Sequence, residues 1–563
     1  MNKKICLLVI ILFMSFLAVA KTGAQFQVLG VKGKLLTNIT ARLGELAANN
    51  PLASSSNEAL QQHIEKAMYP YGFFKPQIQI SREGNSYVTI SIQPGPKLLI
   101  NRLSINIIGE GKNNPEIIKA LQSLPIKQGD PFNSTQYEEA KQLLADAAEH
   151  EGYLHSAFDK AEVLINKDNY TSSITLIFNT GIQYYFGQLR FNPSYIAPEL
   201  LRRYVPFQYG QPYSTNQILA FNDSLSGSGY FKSVSVKPAD NGNKNIPVDV
   251  YLENAARVNY SFGLGYGTDT GPRGQAGLHI VPVNRLGHKF NAIALGSFNE
   301  NTIKTQYIIP GNNPLINQYE INSSLSTYSY DAGYSNSMLV SLAQRHHLPK
   351  YQRVLSLNNL YERFNYSNQP KEESYSFFPR AKLTWLNKSE QLFSPNGYKV
   401  SVNGFIANNS VLSQINFAQT SIDAKAALTL ESLGTRFYFH TLLGITQINN
   451  IDEFPLSLAL LLGGSDNLKG YEYNSIGPGK IAQYGGFEIQ KEIKPKWYLV
   501  SFFDTGDVYK PSIKSTKNDI GLGLMWVSPI GPIKIGLAEP VDNHFHRMPG
   551  RNPRLVINMG PDL

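Results

Sequence analysis

The sequence predicts three α+β repeats, each strand-helix-helix-strand-strand, followed by a sixteen-stranded antiparallel transmembrane β-barrel. Three observations carry that prediction. A helix end marked by glycine and an aromatic residue recurs at Gly72, Gly152 and Gly229, 80 and 77 residues apart. From Arg257 onward, apolar and small or polar residues alternate with period two. The composition has only 17% charged residues, against about 25% in ordinary soluble chains, and holds 32 Tyr and 45 Gly. After residue 20 there is no run of apolar residues long enough for a membrane helix, so spanning must be by strands.

The first element is a secretory signal peptide, expected over residues 1–20. Lys3 and Lys4 precede the apolar stretch from Ile5 to Val19, and Ala18-Val19-Ala20 has the small-x-small form of a cleavage site. A second possible cut follows Ala24. Cys6, the sole cysteine, lies in this segment, so the mature chain is expected to lack disulfides, thiolate metal sites and thiol nucleophiles. The formal net charge of +9 is scattered, with no basic cluster, which argues against nucleic acid as a partner.

The repeats are expected at 25–95, 96–182 and 183–256. Each glycine ends a helix where positive φ is needed, and the aromatic residue after it returns to the core. The second and third repeats share GDPFNSTQ from Gly129 and GQPYSTNQ from Gly210, where Ser134 and Ser214 are expected to cap the following helices. Turns at Pro94-Gly95-Pro96 and Asn179-Thr180-Gly181 separate the units.

The barrel is expected over 257–563, with about sixteen strand-like runs separated by turns such as GNNP at Gly311, SPNG at Ser394 and SPIGP at Ser528. In its first strand, about 257–267, Gly263, Gly265 and Gly267 share one face, the lumen, while Phe262, Leu264 and Tyr266 face lipid. Glycine removes cross-strand pairs worth roughly 0.2–1 kcal/mol each, which suits a weak seam. The same glycines could instead relieve crowding in the lumen. Pro553 and Pro561 bracket the last strand, about 553–563, and each removes a backbone donor. The register between the two strands is left open, with positions near Tyr260 and those near Ile557 among the pairs that could meet.

Several stretches together resemble the TamA-type, translocation-and-assembly-module family of the POTRA-plus-β-barrel insertase superfamily. GLGYGTDTGPRGQAGL (263–278) is similar to the entry of that family's barrel, LLGGSDNLKGYEYNSIGP (461–478) to its long sixth outer loop, and SPIGPIKIGLAEPVDN (528–543) to its penultimate strand. Phe502-Phe503-Asp504-Thr505-Gly506 matches its aromatic-x-Asp-x-Gly motif. Two positions depart from the pattern: the loop arginine is Lys469, and the terminal aromatic is Leu563.

The resemblance implies that the repeats are POTRA domains in the periplasm and that the barrel lies in the outer membrane of a Gram-negative bacterium. It implies a non-enzymatic machine, without cofactor or metal, that inserts or secretes autotransporter-like and other β-barrel clients through a weakly paired seam. The partners implied are a TamB-like inner-membrane-anchored periplasmic protein, unfolded outer-membrane clients and the lipid bilayer. The edge from Gln77 to Arg82 would accept the periplasmic protein by strand addition. In the sixth loop, about 450–478, Leu468, Lys469, Gly470 and Tyr471 form the motif, and its inner-wall partners would be Asp504, Gly506 and Glu488. Lysine offers one point charge where arginine offers a fork, so the lock is expected to be looser here. The rival readings are a general BamA-type insertase, a two-partner secretion pore, and a passive porin with periplasmic spacer domains. The three repeats favour the first assignment over a BamA-type insertase or a two-partner pore, and the glycine face and loop motif favour it over a porin.

Enzyme signatures fail on inspection. His150 and His155 stand five apart, about 140° round a helix, with Gly152 between them. The glycines from Gly263 are followed by no helix, and Gly477-Pro478-Gly479-Lys480 continues into Ile481, so neither phosphate-binding loop is present. No G-x-S-x-G elbow occurs.

Overall fold

The computed structural model describes residues 26–563 except 50–54, 84–86, 240–241, 368, 389–391, 511–515, 530, 549–551 and 562. The expected signal peptide, with Cys6 and both cleavage sites, lies outside the described residues. The first repeat runs β1 (Phe26–Leu29), α1 (Gly33–Asn49), α2 (Asn57–Met68), β2 (Gln77–Glu83) and β3 (Tyr87–Gln93). The second runs β4 (Leu99–Ile108), α3 (Pro115–Gln122), α4 (Ser134–His150), β5 (Ala157–Asn166) and β6 (Thr171–Asn179). The third runs β7 (Tyr185–Phe191), α5 (Pro198–Arg202), α6 (Thr215–Ser226), β8 (Phe231–Pro238) and β9 (Asn245–Asn254).

Each repeat builds a three-stranded sheet with its last strand in the centre: β1-β3-β2, β4-β6-β5 and β7-β9-β8. β2 is therefore an edge, as the strand-addition reading requires. The alternation of Val88, Ile90 and Ile92 on β3 buries one face against Leu60, Ile64 and Met68 of α2 and Ile39 and Leu43 of α1. Those helical positions recur every four residues, a spacing that keeps them on one helix face. Gly72, Gly152 and Gly229 have φ of 82°, 83° and 79°, the left-handed conformation expected of them.

One cap differs from expectation. Asn133, not Ser134, caps α4: its side chain accepts from the Thr135 N–H at 2.9 Å, while Ser134 is already the first helical residue. Asparagine in extended conformation reaches that amide, so the serine beside it is released from the task. Ser214 does precede α6, and its carbonyl accepts from Gln217 and Ile218.

Sixteen strands then form one antiparallel sheet in chain order. They begin with β10 (Val258–Gly267), β11 (Gly271–Ile280), β12 (Lys289–Gly296), β13 (Glu300–Pro310) and β14 (Asn317–Tyr330). β15 (Gly333–Leu348), β16 (Tyr351–Tyr366), β17 (Glu372–Lys388), β18 (Gly397–Ala407), β19 (Phe417–Leu430) and β20 (Thr435–Ile448) follow. The sheet ends with β21 (Ile481–Lys494), β22 (Trp497–Tyr509), β23 (Lys517–Ser528), β24 (Gly531–Val541) and β25 (Arg554–Met559). Period two sets the two faces: on β16, Leu355 and Leu357 stand exposed while Asn358, Leu360 and Glu362 are buried inside. The last strand is shorter than the expected 553–563, because prolines flank it on both sides.

Exposed apolar side chains such as Phe262, Leu264, Leu355 and Leu357 on the outward face suit the barrel to a bilayer. The long connection between β20 and β21 marks the outer end, since periplasmic turns of such barrels are short. All three tryptophans, Trp385, Trp497 and Trp526, sit near the opposite ends of their strands, and Trp497 stacks on Trp526. Tyr351 packs against Trp385. That row is an aromatic girdle at the periplasmic interface. At the same end, Tyr230 donates from its hydroxyl to the Gly287 carbonyl at 2.7 Å.

Candidate functional site

The loop between β20 and β21, the sixth on the outer side, folds into the lumen and is held at two places. On one wall Glu362 of β16 accepts from the backbone N–H of Ser457 at 2.9 Å and from its hydroxyl. Tyr366 donates to the Phe454 carbonyl at 2.7 Å, and Gln419 of β19 donates to the Leu458 carbonyl. Phe454 and Ile451 pack there among Phe378, Phe405 and Phe417. The lumen is thus filled by an apolar plug braced by polar tethers.

The other wall receives the motif. Lys469 Nζ lies 2.9 and 3.3 Å from the two oxygens of Asp504 on β22, and 3.4 Å from Glu488 on β21. It also sits 4.7 Å from the centre of the Phe502 ring. Burial disfavours the ammonium, yet the Asp504 and Glu488 carboxylates hold it above the ordinary lysine value. Glu488 is shared with Lys534 at 2.8 Å and accepts from Gln490, and Tyr484 donates to Asp504 at 2.8 Å. Gly470 donates its N–H to Asp519 at 3.0 Å and passes so close to Pro540 that no side chain fits. Leu468 and Tyr471 are buried with Leu462, Ile476 and Tyr484. Gly506 lies beside Tyr484, where a Cβ would strike the neighbouring backbone. All seven residues named from the motifs therefore meet in one cluster.

The seam is the second half of the site. Neighbouring strands from β10 to β25 are joined by ladders, but among the described residues none joins β25 to β10. What joins them are two bonds, each with a side chain as at least one partner. Arg554 donates to Asp269 at 3.0 Å, and the Ile557 N–H donates to Thr268 Oγ1 at 3.2 Å. Asp269 also accepts from the Ser465 backbone and hydroxyl, and Arg554 donates to the Lys469 carbonyl at 3.2 Å. One arginine thus ties the last strand to the first outer turn and to the loop. This contact fills in the register left open by the sequence and excludes a meeting of Tyr260 with Ile557. Ile557 faces Thr268, and the antiparallel count from there brings Met559, the last residue of β25, to Tyr266 and carries Tyr260 past the end of the chain, so β25 reaches only the outer end of β10.

Phe262 and Leu264 on that strand are 84% and 96% exposed, the lipid side expected of them. The Arg273 side chain lies over Gly265, so this glycine also makes room for a neighbour. Beyond β25 the chain turns inward, and Leu563 is buried against Ala427 and Tyr438. The sequence reading did not single out Asp269, Arg554, Ser465, Asp519, Lys534 or Glu362. Of these, only Asp269 had a local signal, in the turn Thr268-Asp269-Thr270-Gly271.

Comparisons with known proteins agree with this architecture. Residues 287–559 match the Omp85 superfamily domain, residues 25–94 match the POTRA domain of TamA, domain 1, and residues 103–181 and 184–254 match POTRA, the surface antigen variable number repeat. The crystal structure of BamA from Haemophilus ducreyi lacking POTRA domains 1-3 is similar over 82% of this chain and 99% of its own, at 17% identity and a TM-score of 0.66. CdiB from Acinetobacter baumannii covers 94% of this chain and 100% of its own, at 12% identity and a TM-score of 0.47.

Removing one partner of a buried ion pair costs about 3–5 kcal/mol. Lys469→Ala and Asp504→Asn should therefore each lower the temperature at which the folded barrel loses its fast migration in gels, and the double variant should fall little further. Losses that simply add would show that the two side chains do not interact.

Proposed function

The chain belongs to the Omp85 superfamily, and on that premise we propose that it is the TamA-type outer-membrane component of a translocation and assembly module. It takes up unfolded autotransporter-like and other β-barrel clients and inserts or secretes them at the seam between β25 and β10. The observation that carries this reading is that unladdered seam: among the described residues it is held by an ion pair and a backbone-to-side-chain bond, where every other junction is closed by a backbone ladder. A client strand arriving in hydrocarbon brings N–H and C=O groups whose isolation costs several kcal/mol each. The free edge of β10 offers partners for them, and a clasp of two bonds can part without dismantling a ladder.

The work is pairing and not bond chemistry, so we read the chain as an insertase rather than an enzyme. The loop-filled lumen speaks against a passive porin, which needs an open channel. The TamA-type first domain favours this assignment over a general BamA-type insertase or a two-partner pore. A TamB-like partner would dock on the first repeat along the outer edge of β2.

A covalent tie across the seam separates the readings. Thr268→Cys with Ile557→Cys should crosslink on oxidation, since the two sites touch. The oxidised barrel should stop assembling clients and recover with reductant, whereas undiminished assembly in the crosslinked form would rule out passage at this seam. Deleting residues 26–94 should leave the barrel inserted while the periplasm-spanning partner no longer co-purifies. Unchanged co-purification would place that dock elsewhere.

A further inference from the structure

The lipid-facing wall opposite the lumen plug carries a feature that client insertion does not use. On β16, Arg353 points outward: it pairs in register with His346 on β15 and Leu383 on β17, and Leu383 pairs with Val402 on β18. One row toward the membrane centre stand Leu355, Ala381 and Gly404, and the row beyond holds Leu357 and Pro379. Small residues in the middle of these rows, between Leu342 and Leu357 on one side and Ile406 on the other, leave a trough of about 840 Å³ in the outer wall. Pro379 stands in a central strand, where it costs the ladder a donor.

Arg353 stands one row on the periplasmic side of Leu355, which lines that trough, and one row inside the girdle of Tyr351 and Trp385. Its Nε is buried and has no hydrogen-bond partner. His346 beside it is engaged with Asn317 at 2.8 Å. A cation with an unpaired N–H on a lipid face is unfavourable unless a ligand supplies an acceptor. At the level of the girdle the acceptor at hand is a lipid phosphate, and a guanidinium matches phosphate in shape as well as charge.

We propose that this wall holds one glycerophospholipid of the periplasmic leaflet, its phosphate on Arg353 and an acyl chain in the trough over Pro379, Ala381 and Gly404. The site would fix a lipid on the side of the barrel away from the seam and give that wall a constant partner. Its recognition is charge at the rim and shape along the row, so it distinguishes a phospholipid from an uncharged lipid of the same chains.

Native mass spectrometry of the full-length protein in detergent, titrated with phosphatidylglycerol, tests this. The wild type should retain one lipid, and Arg353→Gln should shift retention to roughly tenfold higher lipid, the loss expected for one charged hydrogen bond. Diacylglycerol of the same chains should bind no better to the wild type than phosphatidylglycerol binds to the variant, and inorganic phosphate should not compete. Gly404→Leu fills the trough with Arg353 intact, and a Cβ there meets nothing nearer than 3.8 Å, so it should fold and lose retention as well. Equal retention by Arg353→Gln, by Gly404→Leu, or of diacylglycerol overturns the proposal. Should Arg353→Gln not fold, Gly404→Leu decides alone.

Discussion

Backbone N–H and C=O groups cannot stay unpaired in hydrocarbon, and one junction of this barrel leaves a row of them without a ladder. The rest of the membrane domain can be understood as managing that row. β25 is short because prolines flank it, so it reaches only the outer end of β10. The chain beyond it turns into the lumen, where burial of Leu563 gives the tail somewhere to go other than along the seam. Among the described residues the bonds across the junction are the Arg554–Asp269 ion pair and the hydrogen bond from the Ile557 backbone N–H to the Thr268 hydroxyl, each with at least one side chain as partner.

The lumen loop is coupled to that junction by shared residues. Arg554 serves the clasp through Asp269 and the loop through the Lys469 carbonyl, and Asp269 in turn holds Ser465. Without Lys469, buried Asp504 would lose the cation that faces it, while Glu488 would keep Lys534, so the lock rests chiefly on the Lys469–Asp504 pair. Glu362 holds the other arm of the loop on the far wall. Moving the loop therefore disturbs the seam, and opening the seam removes a hydrogen bond from the loop. Energetic coupling of this kind needs no long path, because the two sites have Arg554 and Asp269 in common.

Much of this was legible in the sequence where the signal was local or periodic. Period-two alternation announced sixteen strands, and glycines that must adopt positive φ announced the helix ends of the repeats. The Asp504 and Lys469 motifs pointed to residues that the fold then brings together. What was not legible depends on register across long separations. Asp269 and Arg554 stand 285 residues apart, and neither Glu362 with Ser457 nor the inward turn of Leu563 has any local pattern. The cap of α4 shows the same limit at short range: Asn133 and Ser134 are both good cap residues, and only backbone geometry chooses between them.

Hydrogen–deuterium exchange of the full-length protein in lipid nanodiscs tests the central claim most directly. The seam-side amides of Val258 to Tyr266 should exchange far faster than the ladder amides of β15 and β16, and should become protected when a client strand is bound. Amides of β10 as slow as those of β15 in the client-free protein would mean that the seam is laddered, and would contradict it.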